Sequence, residues 1–585
     1  MNHLKGMDEK EYKRRIRAWT MYDWANSAFA TTILAAVLPV YYSQVAGATL
    51  PSEATATQYW SYGLIISTLV IAVLSPILGT VSDVMRGKKT FLSIFAGIGV
   101  LSTGLLVLVS TGDWMLASLL FVFGRIGFNG SIVFYDALLP HVARSEDQDM
   151  VSARGYAIGY LGGGLLLVVN VIMIFLLPGT WGSRLSFLSV AIWWAVFSIP
   201  VLRHVPEPPS ATEKLLPGQS VLGVSIKRLV ETFKNLRQYK DLFKFLIAYL
   251  IYIDGVGTII DMATIYGAEL GFGSIELILA LALVQFVGIP YSLVFGRLPS
   301  ANEKRRPFFM AVVVLNILTL PLFGIAGRFL LPAEVTGVSQ PPYEATAGAL
   351  GQGKFLADDS LITYKGSWSA ETIPAQPGEE TASGYRISQA AGDQITIPFN
   401  GQRLELIYAT GPDYGAWEVT LDGARLLDED GALVTVDAYR DTPRYGMVTT
   451  LRAPQAGEHI VTLTISPQSN PNSQGTRMAI AGIEVMVPER KTNLGIIFGA
   501  VLLNQLLTIG LAWLLAGPVF SRFTHLLDTR KSLLLALLVY SAISVWAFFL
   551  DSAVEYWFLA WMVATVQGGS QALSRSLFAS MSPAS

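Results

Sequence analysis

The sequence predicts a mainly α, polytopic membrane protein of about twelve transmembrane helices with an inserted β-sandwich domain. Three observations predict it. Hydrophobic residues fill 52% of the 585 positions and charged residues only 14%, against roughly 25% charged in an ordinary soluble domain. Apolar segments of about 20 residues, the length that crosses a hydrocarbon core, recur along the chain. One stretch, 333–490, abandons that pattern for short runs of period two.

The apolar segments run approximately 22–45, 59–82, 90–110, 115–139, 154–178, 184–203, 243–266, 275–297, 308–331, 493–517, 531–551 and 556–574. The first follows a charged stretch from Lys5 to Arg17 and is too long and too polar for a signal-peptide core, so it reads as an uncleaved helix. Alternate loops carry the cations: Arg86, Lys88 and Lys89; Arg144; Lys227 to Lys240; Lys304 to Arg306; and Arg522 to Lys531. The loops between them, such as 46–58 and 111–114, carry none, which places the N-terminus in the cytoplasm; the membrane expected is the cell's plasma or inner membrane. The expected organisation is therefore a six-helix half over 1–204, a cytoplasmic linker over 205–242 with a basic helical pattern at Ile226 to Phe233, three helices over 243–332, an extracytoplasmic β domain over 333–490, and three helices over 491–585.

Composition excludes several functions. The net charge of −2 argues against a nucleic-acid partner. With no cysteine there is no disulfide framework, thiol nucleophile or iron–sulfur cluster, and the five scattered histidines have no ligand spacing. No cofactor and no metal are expected. The Gly348 to Lys354 segment imitates a phosphate loop but lacks the following Ser or Thr.

The inserted stretch holds alternating runs such as Ile395 to Phe399, Arg403 to Ile407, Trp417 to Leu421 with the Asp422-Gly423 turn after it, and His459 to Ile465. These are the strands of a sandwich.

Ionisable groups within the spans are the strongest functional signal, since each costs about 2.5 to 3.5 kcal/mol at the bilayer centre on insertion scales. In the fourth span Arg125, Asn129 and Asp136 fall on one stripe at 100° per residue, and in the seventh Asp254, Thr258 and Asp261 share a face. The first span opens with Asp23 and Asn26, and the fifth aligns Tyr156 and Tyr160. These residues are the candidate substrate and coupling groups, turned towards a common interior. The competing explanation is structural: neutral residues such as Asn129, Thr258 and Asn170 often tie helices together by hydrogen bonds. Charged Arg125 and Asp254 are harder to explain that way. Glycines at 155, 159, 163 and 164 permit close helix approach.

The loop Gly79-Thr-Val-Ser-Asp83-Val-Met-Arg86-Gly87-Lys88, with its second glycine one position late, resembles the loop signature of the major facilitator superfamily, which implies a gating role for Gly79, Asp83, Arg86 and Lys88. Tyr22 to Ala30, Phe134 to Pro140, Asp254-Gly255 and Gln567-Gly-Gly-Ser-Gln-Ala-Leu-Ser-Arg-Ser576 are similar to motifs of its vacuole-effluxer-like branch, whose fungal members release amino acids during autophagy. The resemblance implies two six-helix halves about one central site. In that family the Gln-Gly-Gly motif closes the tenth helix, whereas here it follows the twelfth apolar segment. That offset suggests either an extra helix pair around spans nine and ten or a chain that stops before the family's last helices. The inserted domain resembles jelly-roll, galactose-binding-like sandwiches, in which Trp368, Tyr414 and Trp417 are candidates for stacking on a carbohydrate or for core positions.

The function expected is secondary active transport of a small solute by alternating access, with proton coupling through Asp254 as one device and amino acids favoured as cargo by the resemblance. The partners expected are that solute, the lipid bilayer and a carbohydrate on the β domain, and the protein is expected to be a monomer. A membrane receptor or glycan-binding protein is the alternative. An enzyme is not expected, since the β domain shows no Gly-x-Ser-x-Gly nucleophile turn.

Overall fold

The computed structural model describes residues 7–581 apart from 52, 209–226, 228–229, 231–239, 271, 273, 301–302, 339, 374–382, 428–432, 469, 489 and 491. Most of the 205–242 linker, including the basic pattern at Ile226 to Phe233, lies outside the described residues, as do the side chains of Asp83 and Asp261.

Six helices form the first half: α1 (Glu9–Ala28), α2 (Glu53–Met85), α3 (Lys88–Leu105), α4 (Trp114–Ala137), α5 (Gln148–Leu176) and α6 (Trp181–His204). Six more follow: α7 (Lys240–Glu269), α8 (Ser274–Arg297), α9 (Arg306–Leu330), α10 (Leu494–Ala516), α11 (Thr529–Phe548) and α12 (Ala553–Met581). Among the described residues ten helices are long and apolar enough to cross a membrane, or eleven if the bent pair Glu9–Ala36 and Leu38–Ala46 is one span. The protein is a multi-pass membrane protein. The twelfth apolar segment falls in α12, which is not one of these, because its Gln567 to Ser576 stretch is polar. Protein rather than lipid covers that helix, with residues on every side of it buried.

The bend in the first span has a sequence cause. Pro39 brings no N–H and its ring clashes with the preceding turn, and the helix widens to π geometry over Phe29–Ala36, with the Val37 N–H donating to the Thr32 carbonyl five residues back. The loop after α2 is set by the late glycine: Arg86, not Gly87, takes the left-handed position, at φ 56°. A glycine there would adopt that conformation without strain.

Each half has its own apolar core. Trp19, Tyr22, Phe121, Tyr135 and Trp194 anchor the first, and Phe295, Leu320, Val539, Trp557 and Phe558 the second. Ala579 of α12 is buried in the core of the opposite half. α9 and α10, which flank the β domain, share a smaller cluster of Ala311, Val312 and Ala512 with Tyr291 of α8.

The β domain holds β1 (Gly353–Leu356), β2 (Thr363–Lys365), β3 (Ser369–Ile373), β4 (Ser383–Ser388), β5 (Gln394–Thr410), β6 (Ala416–Leu421), β7 (Ala424–Arg425), β8 (Thr435–Asp437), β9 (Arg444–Ile465) and β10 (Met478–Val485). They join in one antiparallel sheet along the order β3-β4-β10-β5-β9-β6-β7, with β1 on β10, β2 on β5 and β8 on β6. The two layers expected of a sandwich are thus continuous through long β5 and β9. A register shift between Gly401 and Arg403 switches the buried positions of β5 from Ile395, Ile397 and Phe399 to Leu404, Leu406 and Tyr408, so the bent sheet keeps one side on a single core. Arg490 fastens the domain's stalk, donating to the carbonyls of Leu270, Gly337 and Asp551 at the ends of the neighbouring helices.

Candidate functional site

A cavity of about 530 Å³ lies between the halves, walled by α1, α4 and α5 on one side and by α7, α8 and α12 on the other. Helical spacing explains which residues reach it. α4 contributes Phe128, Ile132 and Asp136 at intervals of four, and α7 contributes Phe245, Tyr249 and Ile253 at the same interval. An apolar cavity of about 490 Å³ shares Gln285 and Gln567 with it and extends past Tyr266, Phe548 and Tyr556 towards the β-domain face.

The floor of the cavity, towards the face that carries the N-terminus, is an ion cluster shared by the halves. Arg575 of α12 donates to both oxygens of Asp23 on α1, from Nη1 at 2.9 Å and Nη2 at 3.3 Å. Asp23 also accepts from the Tyr135 hydroxyl at 2.8 Å. Asp136 Oδ1 stands 2.9 Å from Arg575 Nε, close enough for an ion pair but without hydrogen-bond alignment. The guanidinium carbon lies 4.2 Å from the Tyr156 ring centroid and 5.4 Å from that of Trp19, a cation–π arrangement. Gly155 makes room for the pair, since a Cβ there would come within 2.2 Å of Asp23 Oδ2.

Further bonds close this end. The Ser152 hydroxyl of α5 donates to the Ala572 carbonyl of α12 at 2.9 Å, and the Thr529 hydroxyl to Asp149 at 2.8 Å. Higher up, the Tyr160 hydroxyl donates to Gln571 at 3.3 Å, and Gly568 packs so close to Ser292 and Tyr160 that a Cβ would clash with both.

Of the sequence-expected residues, the structure brings Asp23, Asn26, Asp136, Tyr156 and Tyr160 together on this cavity. It places others elsewhere. Arg125 and Asn129 are half-buried and do not line it. Asp254 is on the protein's exposed surface and not in a common interior, because the aromatic face of α7 turns inward: Tyr249 lines the cavity and the Tyr252 hydroxyl meets Ser574 Oγ at 2.6 Å. Thr258 gives its hydroxyl to the Asp254 carbonyl at 3.0 Å and borders the apolar cavity. Asn170 is structural, bonded to Thr32 and Ser189. Gly79 lies within the last turns of α2 and Arg86 and Lys88 lie at the α2–α3 turn, and none of them lines the cavity.

The β-domain aromatics divide. Trp417 and Tyr414 are core residues, 0% and 4% exposed, and so are not available to stack on a sugar. Burial pushes the Tyr414 phenol above its ordinary range, with Arg477 opposing. Trp368 is half-buried against Tyr364, its indole N–H donating to the Lys365 carbonyl at 3.2 Å. A cavity of about 220 Å³ in this domain is lined by Asp358, Glu371, Tyr385 and Arg386 and by none of the three aromatics.

Sequence reasoning missed Arg575, Gln285, Gln567, Gln571 and Tyr249 as site residues. Arg575 stands one position beyond the expected end of the last apolar segment, so the argument that singled out mid-membrane charges did not reach it.

A family model for vacuole effluxer Atg22-like proteins matches residues 11–344. The chain belongs to that family. It is a branch of the major facilitator superfamily: an uncharacterized MFS-type transporter of Bacillus subtilis, YxiO, is 37% identical over 315 residues, covering 53% of this chain and 73% of that protein. Autophagy-related protein 22-1 of Penicillium rubens is 22% identical over 485 residues, covering 63% and 81%. Among solved structures, the MFS proton:xylose symporter XylE bound to 6-bromo-6-deoxy-D-glucose aligns with a TM-score of 0.36 at 15% identity, covering 56% of this chain and 77% of that one. The family match ends at residue 344, just before β1.

Proposed function

We propose that the protein is a secondary active transporter of a small solute that works by alternating access, with its N-terminus and the closed end of the cavity in the cytoplasm. The observation that carries this reading is the cavity itself. Its walls come from both halves, and its floor is an ion cluster whose members sit on opposite halves. Rocking the halves separates Arg575 from Asp23 and Asp136 and opens the floor. The apolar cavity that shares Gln285 and Gln567 with this cavity lies on the β-domain side and supports an exit there. The alternating loop charges support the orientation. Amino acids are the first cargo class to test, on the family resemblance, and the polar cavity floor supports a polar solute over a lipid. Proton coupling is better assigned to the cavity carboxylates than to exposed Asp254.

The experiment is counterflow in proteoliposomes with labelled amino-acid and sugar pools. Saturable exchange of one pool supports the reading, and a protein that binds either pool without exchanging it contradicts the reading.

A further inference from the structure

The cavity floor sets two carboxylates against one guanidinium. Apart from Asp23, Asp136 and Arg575, no Asp, Glu, Lys, Arg or His lines the cavity among the described residues. The floor therefore carries a formal charge of −1, two carboxylates less one guanidinium. Excess charge in a membrane-embedded site is costly unless a cation meets it.

The two carboxylates are held unequally. Asp23 is buried and takes three hydrogen bonds, two from Arg575 and one from Tyr135. The Asp136 side chain keeps 34% of its surface open, and its approach to Arg575 lacks hydrogen-bond alignment. The groups that face Asp136 are Asp23 of α1, Tyr135 of α4, Tyr156 of α5, Tyr249 of α7 and Arg575 of α12. Arg575 is the one cation in that set and is already committed: Nη1 and Nη2 to Asp23, Nε beside Asp136, its face on Tyr156. An incoming carboxylate would have to displace one of these partners. A cation meets the opposite situation, with the spare charge of Asp136 and the rings of Phe128, Phe245 and Tyr249 on the same cavity.

We infer that Asp136 binds the ammonium group of the cargo, and that the cargo's carboxylate, where it has one, is not read by Arg575. This rests on the transporter reading for its site and adds which end of the cargo is recognised. The cargo class is small compounds with a primary ammonium group, amines included. The ammonium also compensates Asp136 when Arg575 leaves with α12, which links cargo to movement.

The test is equilibrium binding of labelled phenylalanine to the full chain in detergent, competed by phenethylamine, which lacks the carboxylate, and by N-acetylphenylalanine, which lacks the ammonium. Phenethylamine should compete within about threefold of phenylalanine, and N-acetylphenylalanine about 30-fold or more weakly, the scale of losing a charged partner. Asp136→Asn should weaken both amines about 30-fold while leaving thermal unfolding near that of the parent, and Asp136→Glu should restore most of the binding. N-acetylphenylalanine competing as well as phenylalanine overturns the inference, as does Asp136→Asn with unchanged affinity. Saturable binding by neither amine also overturns it. If Asp136→Asn alters only the pH dependence and leaves amine selectivity intact, Asp136 is a proton site and the inference is wrong. Failure of the transporter reading looks different: ammonium-selective binding would persist without counterflow.

Discussion

Replacing Gly155 by alanine places one methyl group against the ion cluster. The new Cβ would lie 2.2 Å from Asp23 Oδ2 and 3.3 Å from Arg575 Nη1. The carboxylate must retreat by roughly 1 Å to reach van der Waals distance, which spoils its alignment with Arg575 and Tyr135. Overpacking costs about 1–3 kcal/mol, and weakening charge-assisted hydrogen bonds adds about 1–2 kcal/mol. The part of this that is absent once the halves separate shifts the closed-to-open balance. A shift of 2–3 kcal/mol is about 30- to 150-fold. The chain has no cysteine, so Gln571→Cys gives a single label site on the cavity. Its reaction with a membrane-impermeant thiol reagent, applied from the face that carries the N-terminus, should accelerate by about that factor in the Gly155→Ala background. Gly97→Ala, with nothing within 4 Å of the added methyl, is the control and should change nothing. Equal labelling rates in the Gly155 and Gly97 variants would refute the reasoning.

Other consequences concern the β domain. Trp417→Ala should destabilise it by about 3–5 kcal/mol, as for a fully buried aromatic, read from the thermal unfolding of the strand signal. Asp422 has its carboxyl lowered below the usual range by the His459 side chain, 2.7 Å away, and by the Ile460 N–H. A lowered folded-state value stabilises the fold above the unfolded carboxylate value and loses that effect as pH falls through the folded one. The group is exposed, so the gain is well under about 1 kcal/mol, and Asp422→Asn should melt lower than the parent at neutral pH, the difference fading as acid protonates the Asp422 carboxyl. Deleting 345–488 should leave cargo exchange in place, since among the described residues none of that stretch lines either cavity. A deletion variant that folds but does not exchange would show that the domain takes part in transport.

Much of the fold is legible in the sequence because lipid demands long apolar runs and a half-wet sheet demands alternation. The site is legible only in part. Helical periodicity grouped Asp254 with Thr258 but could not say which side of α7 faces the cavity, and the aromatic side won because Tyr252 packs onto Ser574 of α12. In α4 the same reasoning put Arg125, Asn129 and Asp136 on one stripe, yet the cavity takes Phe128, Ile132 and Asp136 from that helix and leaves Arg125 and Asn129 out. Which side of a helix faces the cavity is a property of packing between helices, not of one helix. Arg575 was missed by a segment boundary, although the motif that contains it carried the family resemblance. Gly155 was read as a point of close helix approach. The structure adds the object it approaches, the Asp23 carboxylate.

Alternating access requires α5 and α12 to part at the closed end, where Ser152 now bonds to the Ala572 carbonyl at 2.9 Å. Cysteines at Ser152 and Ala572, joined by a short thiol cross-linker in the otherwise cysteine-free chain, test that movement directly. Cross-linking should abolish counterflow, and cleavage of a reducible linker should restore it. Full exchange by the cross-linked protein would contradict alternating access.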